Sequence, residues 1–449
     1  MPLCSSHHTP ATISIKQQQS RMSPNSTPST PSLVSLAEEI LQNAHALQNG
    51  LPTQPSFQAD GRQNYHDVLP NPVVMRARTR LIEAAKSILS LTLGPTDVLR
   101  SIIATDRTAV VVLRAIHKLG IANAVPLNGS ISIAALASAL DVHPEPLRRI
   151  LGFAYTMKIF CQPKPDFVSH TSISAAIPTF DPYIWLHLSE TTKVYSSSFR
   201  FAEAMKSWPA APISVMDANG RDFWTILEQD DPQGEGMAKF SKAMKTQMDS
   251  LNGPGNRPLT DNFDWAGLGP NATVIDVGGG NGHNAIHLAN AFPNILIEVQ
   301  DLPKNEEPAG MLTENAGLTH RVTFRPHDFF KPQPTELCPK AFLLSRILHD
   351  WPEKECQQIL SNLVPVMKRT GAKLILVERV LPDRLGDMAL HQEAQIRSLD
   401  LLMYTTFGAS CERSGSDWTQ LLDSVDPGLT VKKVARLEGS ELSILDVGI

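Results

Sequence analysis

From Ala272 to the end of the chain, short aliphatic or β-branched runs alternate with helical patterns, and few architectures accept that rhythm. ATVIDV leads through a glycine turn into HNAIHLANAF, and NILIEVQ and RVTFRP follow. KAFLLSRIL precedes EKECQQILSNLVPVMKR, KLILVERV precedes RSLDLLMYTTFG, and TVKKVARL and LSILDVG close the chain. Strands separated by helices pair in parallel, so this half is expected to be an α/β, doubly wound, mostly parallel sheet. Ligands of such sheets bind beyond the carboxyl ends of the strands. Gly278, Asp301, Asp328, His349 and Glu378 each fall at such an end, on successive predicted strands. Residues scattered for structural reasons alone would not be expected to choose one edge so consistently.

The turn VIDVGGGNG carries the first of these positions. Gly278, Gly280 and Gly282 let the backbone turn sharply and approach a ligand where a Cβ would clash. The helix start beyond them offers free N–H groups, and the acid Asp276 stands just before the turn. A dinucleotide fingerprint reads GxGxxG, and counted from Gly278 its third glycine would be His283. The pattern is GxGxG preceded by an acid, which suits a ligand without a pyrophosphate. Asp301, in VQDLP, can accept both hydroxyl protons of a ribose, although it also suits a turn before Pro303. In HDFF, Asp328 can accept from an adenine amino group and Phe329 can cover the ring. These are the needs of a nucleoside.

RILHDWPEKE and KLILVERV supply a base and an acid. His349 lies just past its strand, and Glu378 sits in an otherwise apolar run where an unpaired charge is costly. Glu412, in CERSGSDW, is a second candidate acid. A histidine held by a carboxylate on its far nitrogen has a fixed tautomer and a raised pKa, and can take a proton from a hydroxyl. Asp350 is expected only as an anion at a helix start. Trp351 suits packing or substrate contact. The His-Asp pairs 327–328 and 349–350 lack the further ligands of an HD-type metal site, so no metal is expected.

The first half of the chain reads differently. Residues 1–32 are a tail, Ser-, Thr- and Pro-rich from Ser20, too polar to offset the entropy of ordering. Residues 33–180 read as helices, broken at Gly94-Pro95, followed by a winged-helix pattern of three helices and a two-stranded ribbon. Residues 181–260 read as a helical linker, and 261–449 as the ligand-binding domain. The 449 residues are about three times the ~150 that suit one domain.

Composition narrows the function classes. Lys and Arg total 40 against 45 Asp and Glu, a formal charge of −5, which argues against nucleic acid as the main partner. No run approaches the ~20 apolar residues of a membrane helix. The N-terminus lacks the basic-then-apolar signature of a secretory signal, so a cytoplasmic location is expected. Five scattered cysteines, without a CxxC, suggest neither a disulfide framework nor a zinc site.

Together FDWAGLGPNATVIDVGGGNG, VQDLP, HDFF, ILHDWPEKECQQIL, LILVERVLP and CERSGSDW make roughly residues 70–449 resemble one family. It is the plant-type (class II) S-adenosylmethionine-dependent O-methyltransferases, in the sterigmatocystin-type branch that fungi use on aromatic secondary metabolites. The resemblance implies a Rossmann-like methyltransferase domain behind an N-terminal all-α, winged-helix dimerisation domain, and hence a homodimer. It implies S-adenosylmethionine as cofactor, at Gly278, Gly280, Asp301, Asp328 and Phe329, with Asp276 counted beside them. It implies His349 as catalytic base, with Glu378 and Glu412 orienting it. The expected reaction is methyl transfer to a phenolic hydroxyl of a small aromatic such as a polyketide, and Phe240, Met244 and Trp351 are expected to touch that substrate. Cys411 and Ser345 depart from the family pattern, each standing where a basic or bulky residue is common.

Three rivals remain at this stage. A winged-helix regulator with a vestigial ligand domain is disfavoured because the third helix, HPEPLRRILGFAYTMKIF, is mostly apolar. An NAD-dependent oxidoreductase is disfavoured by His283. Altered chemistry on the same cofactor, such as N-methylation, decarboxylation or cyclisation, stays open.

Overall fold

The computed structural model describes residues 31–61, 71–178, 257–407, 410–436 and 440–449, with a few isolated positions between 179 and 256. Phe240 and Met244 lie outside the described residues.

The helix Leu33–Gly50 begins at Ser32, whose hydroxyl accepts from the Ser35 amide. Leu47 of its buried stripe packs with Val74 and Met75 of the helix Pro72–Arg100. Asn71 caps that second helix, and Pro72 opens it where a missing N–H costs nothing. Gly94 adopts φ 74°, outside helical geometry, so the expected break at Gly94-Pro95 is a kink within one long element. The element continues through a π-helical turn, Ser101–Asp106, into the helix Arg107–Lys118.

Three short strands, β1 (Ile131–Ser132), β2 (Phe160–Cys161) and β3 (Phe167–His170), form an antiparallel sheet in the order β1-β3-β2. The sequence predicts only two of them. The third is two residues long, too short to show a period, and Ser132 also caps the helix Ile133–Ala139. With the helix Pro144–Thr156 they enclose a separate core built on Ile116, Ile133, Leu136, Leu151, Phe160 and Val168.

The larger sheet comprises β4 (Ala272–Val277), β5 (Ile295–Asp301), β6 (Val322–Pro326), β7 (Ala341–Ser345), β8 (Lys373–Leu381), β9 (Arg413–Ser414), β10 (Thr430–Arg436) and β11 (Leu442–Gly448). The order is β10-β11-β8-β7-β4-β5-β6, with β9 paired to the far end of β8. β6, β5, β4, β7 and β8 run parallel, and β11 and β10 add antiparallel pairs. Successive side chains point to opposite faces. Ile275, Phe342, Leu344, Leu374 and Leu376 therefore enter one core, while Val274, Leu343 and Ile375 enter the other. That two-sided burial explains the uninterrupted apolar runs.

The order in which strands are added reverses about β4, whose parallel neighbours are β5 and β7, and this switch point puts the crevice between the carboxyl ends of β4 and β7. The helix Glu353–Thr370 carries Glu353 and Glu355 in its first turn, and Lys368 and Arg369 in its last, in accord with its dipole. It starts directly after the β7 loop and anchors that loop to the sheet. No helix among the described residues is long and apolar enough to cross a membrane.

Candidate active site

On the β4 side of the crevice, Gly278, Gly280 and Gly282 all have positive φ, between 56° and 79°. A Cβ at Gly278 would come within 2.7 Å of Ile347 Cδ1 and 3.4 Å of Phe329 Cε1. The turn therefore passes tightly between the β7 loop and the Phe329 ring. The Gly280 amide donates to Asp301 Oδ2 at 2.7 Å. Asp301 Oδ1 accepts from the Leu302 amide and from Asn305 Nδ2, so the carboxylate at the tip of β5 is held from three directions. Asp328 caps its own turn by accepting from the Phe330 amide, and Asn362 Nδ2 donates to the Phe329 carbonyl.

Asp276 is buried, and neither of its carboxylate oxygens has a hydrogen-bond partner among the described residues. Burial, with the nearby Asp301 charge, pushes its carboxyl up to about 7. The carboxylate packs beneath the glycine turn, its Oδ2 lying 2.6 Å from where a Cβ at Gly279 would sit.

On the β7 side, His349 occupies a short 3-10 turn, Leu348–Asp350. Its Nδ1 lies 3.1 Å from Glu412 Oε1, and its Nε2 lies 3.4 Å from Asp350 Oδ1. Burial alone would hold the imidazole below its usual value, but the carboxylates of Asp350, Glu412 and Glu378 together push it up to about 9. Glu412 is itself held down by His349 and by Arg379, whose NH1 is 3.5 Å from Oε1, against the upward pull of burial.

Glu378 lies beside the imidazole, with ligand atoms of the two within 4.8 Å, but its hydrogen bonds go to the backbone. Its Oε1 accepts from the backbone amides of Ile347 and Leu348, at 3.1 and 3.0 Å. The register explains this, because Ser345 ends β7 opposite Val377, so Glu378 meets the loop as it leaves the sheet. Burial pushes Glu378 up to about 7. It reaches the His349 turn through the backbone and by charge, not by a side-chain bond. His349, Glu378 and Glu412 bring potential ligand atoms within 4.8 Å of one another, a spacing that a metal ion also accepts. Each Oε1 is committed to the protein partners named above, and each Oε2 is buried without a partner among the described residues.

Several residues of this cluster were not picked out from sequence. Arg413 NH1 donates to the Leu348 carbonyl, and its NH2 to the Trp351 carbonyl, tying the His349 turn to β9. The Ser410 hydroxyl donates to the Asp350 carbonyl. Asp400 Oδ1 accepts from the Glu412 amide at 2.9 Å. Arg346 adopts φ 54°, and burial together with Arg379 lowers its guanidinium to about 10. Asp350, read from sequence as a helix-start anion, faces the imidazole instead. A left-handed arginine is invisible to composition or periodicity. The basic residues flanking Glu378 and Glu412, in ERV and CERS, were the available signal, since buried acids need partners.

Trp351 packs edge-on against Phe330 and Phe329, with ring centroids 4.8 and 5.9 Å away. The aromatic cluster joins the two sides of the crevice.

Comparison with known proteins agrees with this geometry. An O-methyltransferase domain family matches residues 210–426. O-methyltransferase aurJ of Gibberella zeae is 32% identical over 438 residues, covering 94% of this chain and 98% of that protein. The chain belongs to the O-methyltransferase family. O-methyltransferase pgmB of Aspergillus terreus is also 32% identical, covering 89% of this chain and 90% of its own length. The crystal structure of OxaC in complex with SAH and oxaline superposes with a TM-score of 0.67 at 20% identity, covering 93% of this chain and 99% of that one, and shows the shared fold.

This O-methyltransferase uses S-adenosylmethionine, and its crevice fits that donor. The tight glycine turn leaves no room for a Cβ at Gly278, and the Asp276 and Asp301 carboxylates lie against it.

Proposed function

We propose that this enzyme methylates a phenolic hydroxyl of an aromatic secondary metabolite, with His349 as general base. The observation that carries the reading is the bond between His349 Nδ1 and the buried Glu412 carboxylate, at the sheet edge that also carries the glycine turn. When bound, the donor supplies an electrophilic methyl on a sulfonium sulfur. Asp276, Gly278, Gly280, Asp301, Asp328 and Phe329 would hold it. Glu412 accepts the Nδ1–H and fixes the tautomer whose Nε2, 3.4 Å from Asp350 Oδ1, takes the hydroxyl proton once it is deprotonated. Glu378 fixes the turn that carries the ring. An aromatic acceptor is supported by the cluster of Phe329, Phe330 and Trp351 rings, Trp351 lying two residues beyond the base in sequence.

The charge arrangement has a pH signature. With its pKa at about 9, His349 is mostly protonated near neutrality and gains its basic form as pH rises. Turnover is therefore expected to climb from pH 7 and level off above about 9, the limb belonging to the coupled group of acids and imidazole. His349→Ala is expected to lower kcat roughly 10²–10⁴-fold while S-adenosylmethionine affinity, measured by titration calorimetry, stays within about threefold. A variant that methylates hydroxylated aromatics at the wild-type rate, read by product mass, would overturn the base assignment.

A homodimer built through the N-terminal unit is part of the same proposal. Leu89, Leu99, Ile102, Ile103 and Val111 stand exposed along the kinked helix and its continuation, apolar side chains that a second copy would cover. Nucleic acid is a poor partner for the winged helix, because Arg148 pairs with Asp166 and Glu145, and Arg149 with Glu145. Sedimentation of the purified protein measures the first point.

A further inference from the structure

The helix Leu390–Phe407 follows β8 and leads to the segment carrying Glu412. The residue before it is Ala389, whose carbonyl accepts from the Gln392 and Glu393 amides. Alanine has no side-chain acceptor, so the first two amides of the helix need a partner from elsewhere. Glu83, on the helix Pro72–Arg100, provides it. Its Oε2 accepts from the Leu390 amide at 3.0 Å, and its Oε1 from the His391 amide at 2.7 Å, with His391 Nδ1 2.5 Å away. A carboxylate more than three hundred residues earlier in the sequence thus caps a helix of the catalytic sheet.

The other end of the connection lies ten positions along the helix, about 15 Å at 1.5 Å per residue. There Asp400 accepts the Glu412 amide, and Glu412 holds His349. Ile396 and Glu393 are buried between the two points, so the helix is seated and transmits displacement as a rod.

We propose that Glu83 is a positioning residue for methyl transfer: by capping the helix Leu390–Phe407 it sets, through Asp400, the place of the Glu412 carboxylate against His349. Docking of the N-terminal unit is thereby coupled to the geometry of the base. The inference rests on His349 being that base, as proposed above.

The test is the kinetics of Glu83→Gln in the full-length enzyme. It is expected to lower kcat roughly fivefold while the KM for S-adenosylmethionine stays within about twofold, the size that loss of a cap carries if it is felt at the base. Adding Ala389→Asp to this variant gives the helix a local acceptor and is expected to restore at least half of kcat. Wild-type kcat in Glu83→Gln overturns the proposal, as does a loss that Ala389→Asp leaves untouched. If Glu83→Gln does not accumulate folded, Glu83→Asp, with its shortened reach, is read by the same criteria and against the same rescue. His349→Ala run alongside separates the two ideas. A dead His349→Ala beside an unaffected Glu83→Gln removes only the positioning role, whereas an active His349→Ala removes the base itself.

Discussion

The two walls of the crevice are built by different physics. On the β4 side the work is done by backbone: three left-handed glycines, a carboxylate held by amides at the tip of β5, and an aspartate capping its own turn. Nearly every contact there spans adjacent strands or a few residues. On the β7 side a titratable ring is caught among acids and guanidiniums delivered by β8, β9 and the helix Leu390–Phe407. The first wall is a shape with fixed dipoles. The second is a charge balance, and removing one partner there exposes the others to an uncompensated interior.

That contrast can be broken most forcefully at Gly278, where the two walls touch. Gly278→Ala forces a methyl group against Ile347 in a left-handed backbone. It is expected to raise the KM for S-adenosylmethionine roughly 10–100-fold, the scale of one to three kcal/mol of strain. Donor affinity measured by calorimetry should fall in parallel; an unchanged affinity would mean that the turn yields. Next in size is Glu412→Gln, which keeps the shape of the acid and removes its charge. A roughly tenfold loss of kcat is expected with donor affinity intact. Because one of the charges that raise His349 is gone, the pH–rate limb should move to lower pH. A limb that stays in place would show that Glu412 acts by packing alone. The smallest expected effect is Phe329→Ala, which strips a ring from the β4 wall: donor KM rises about fivefold, as for the loss of one aromatic contact, and the pH limb does not move.

Legibility from sequence followed the same division. The glycine turn, Asp301 and Asp328 could be placed because strand ends and turns are local, and β-branched runs mark where strands stop. His349 and both acids could be listed as candidates for the same reason. Their wiring could not. That Glu378 grips two backbone amides depends on β8 continuing past the end of β7, a matter of register between strands about thirty residues apart. Arg379, Arg413 and Asp400 reach the site only through tertiary folding, and their letters look like ordinary surface charges in a row. The short strand Ile131–Ser132 is not legible because two residues carry no periodicity, and Asp350 reads as a dipole partner because its nearest sequence feature is a helix start.

The parallel pairing of β9 with the far end of β8 has a consequence for how such an enzyme can change. The ring and the acid that grips it arrive on separate crossover connections, and only the first, through Ile347 and Asn362, touches the glycine turn and Phe329. A length change in the second connection alters the spacing of that pair and leaves the cradle's dimensions as they were. Acceptor range and reactivity can consequently drift through generations of insertions and deletions while the grip on the methyl source is inherited unaltered.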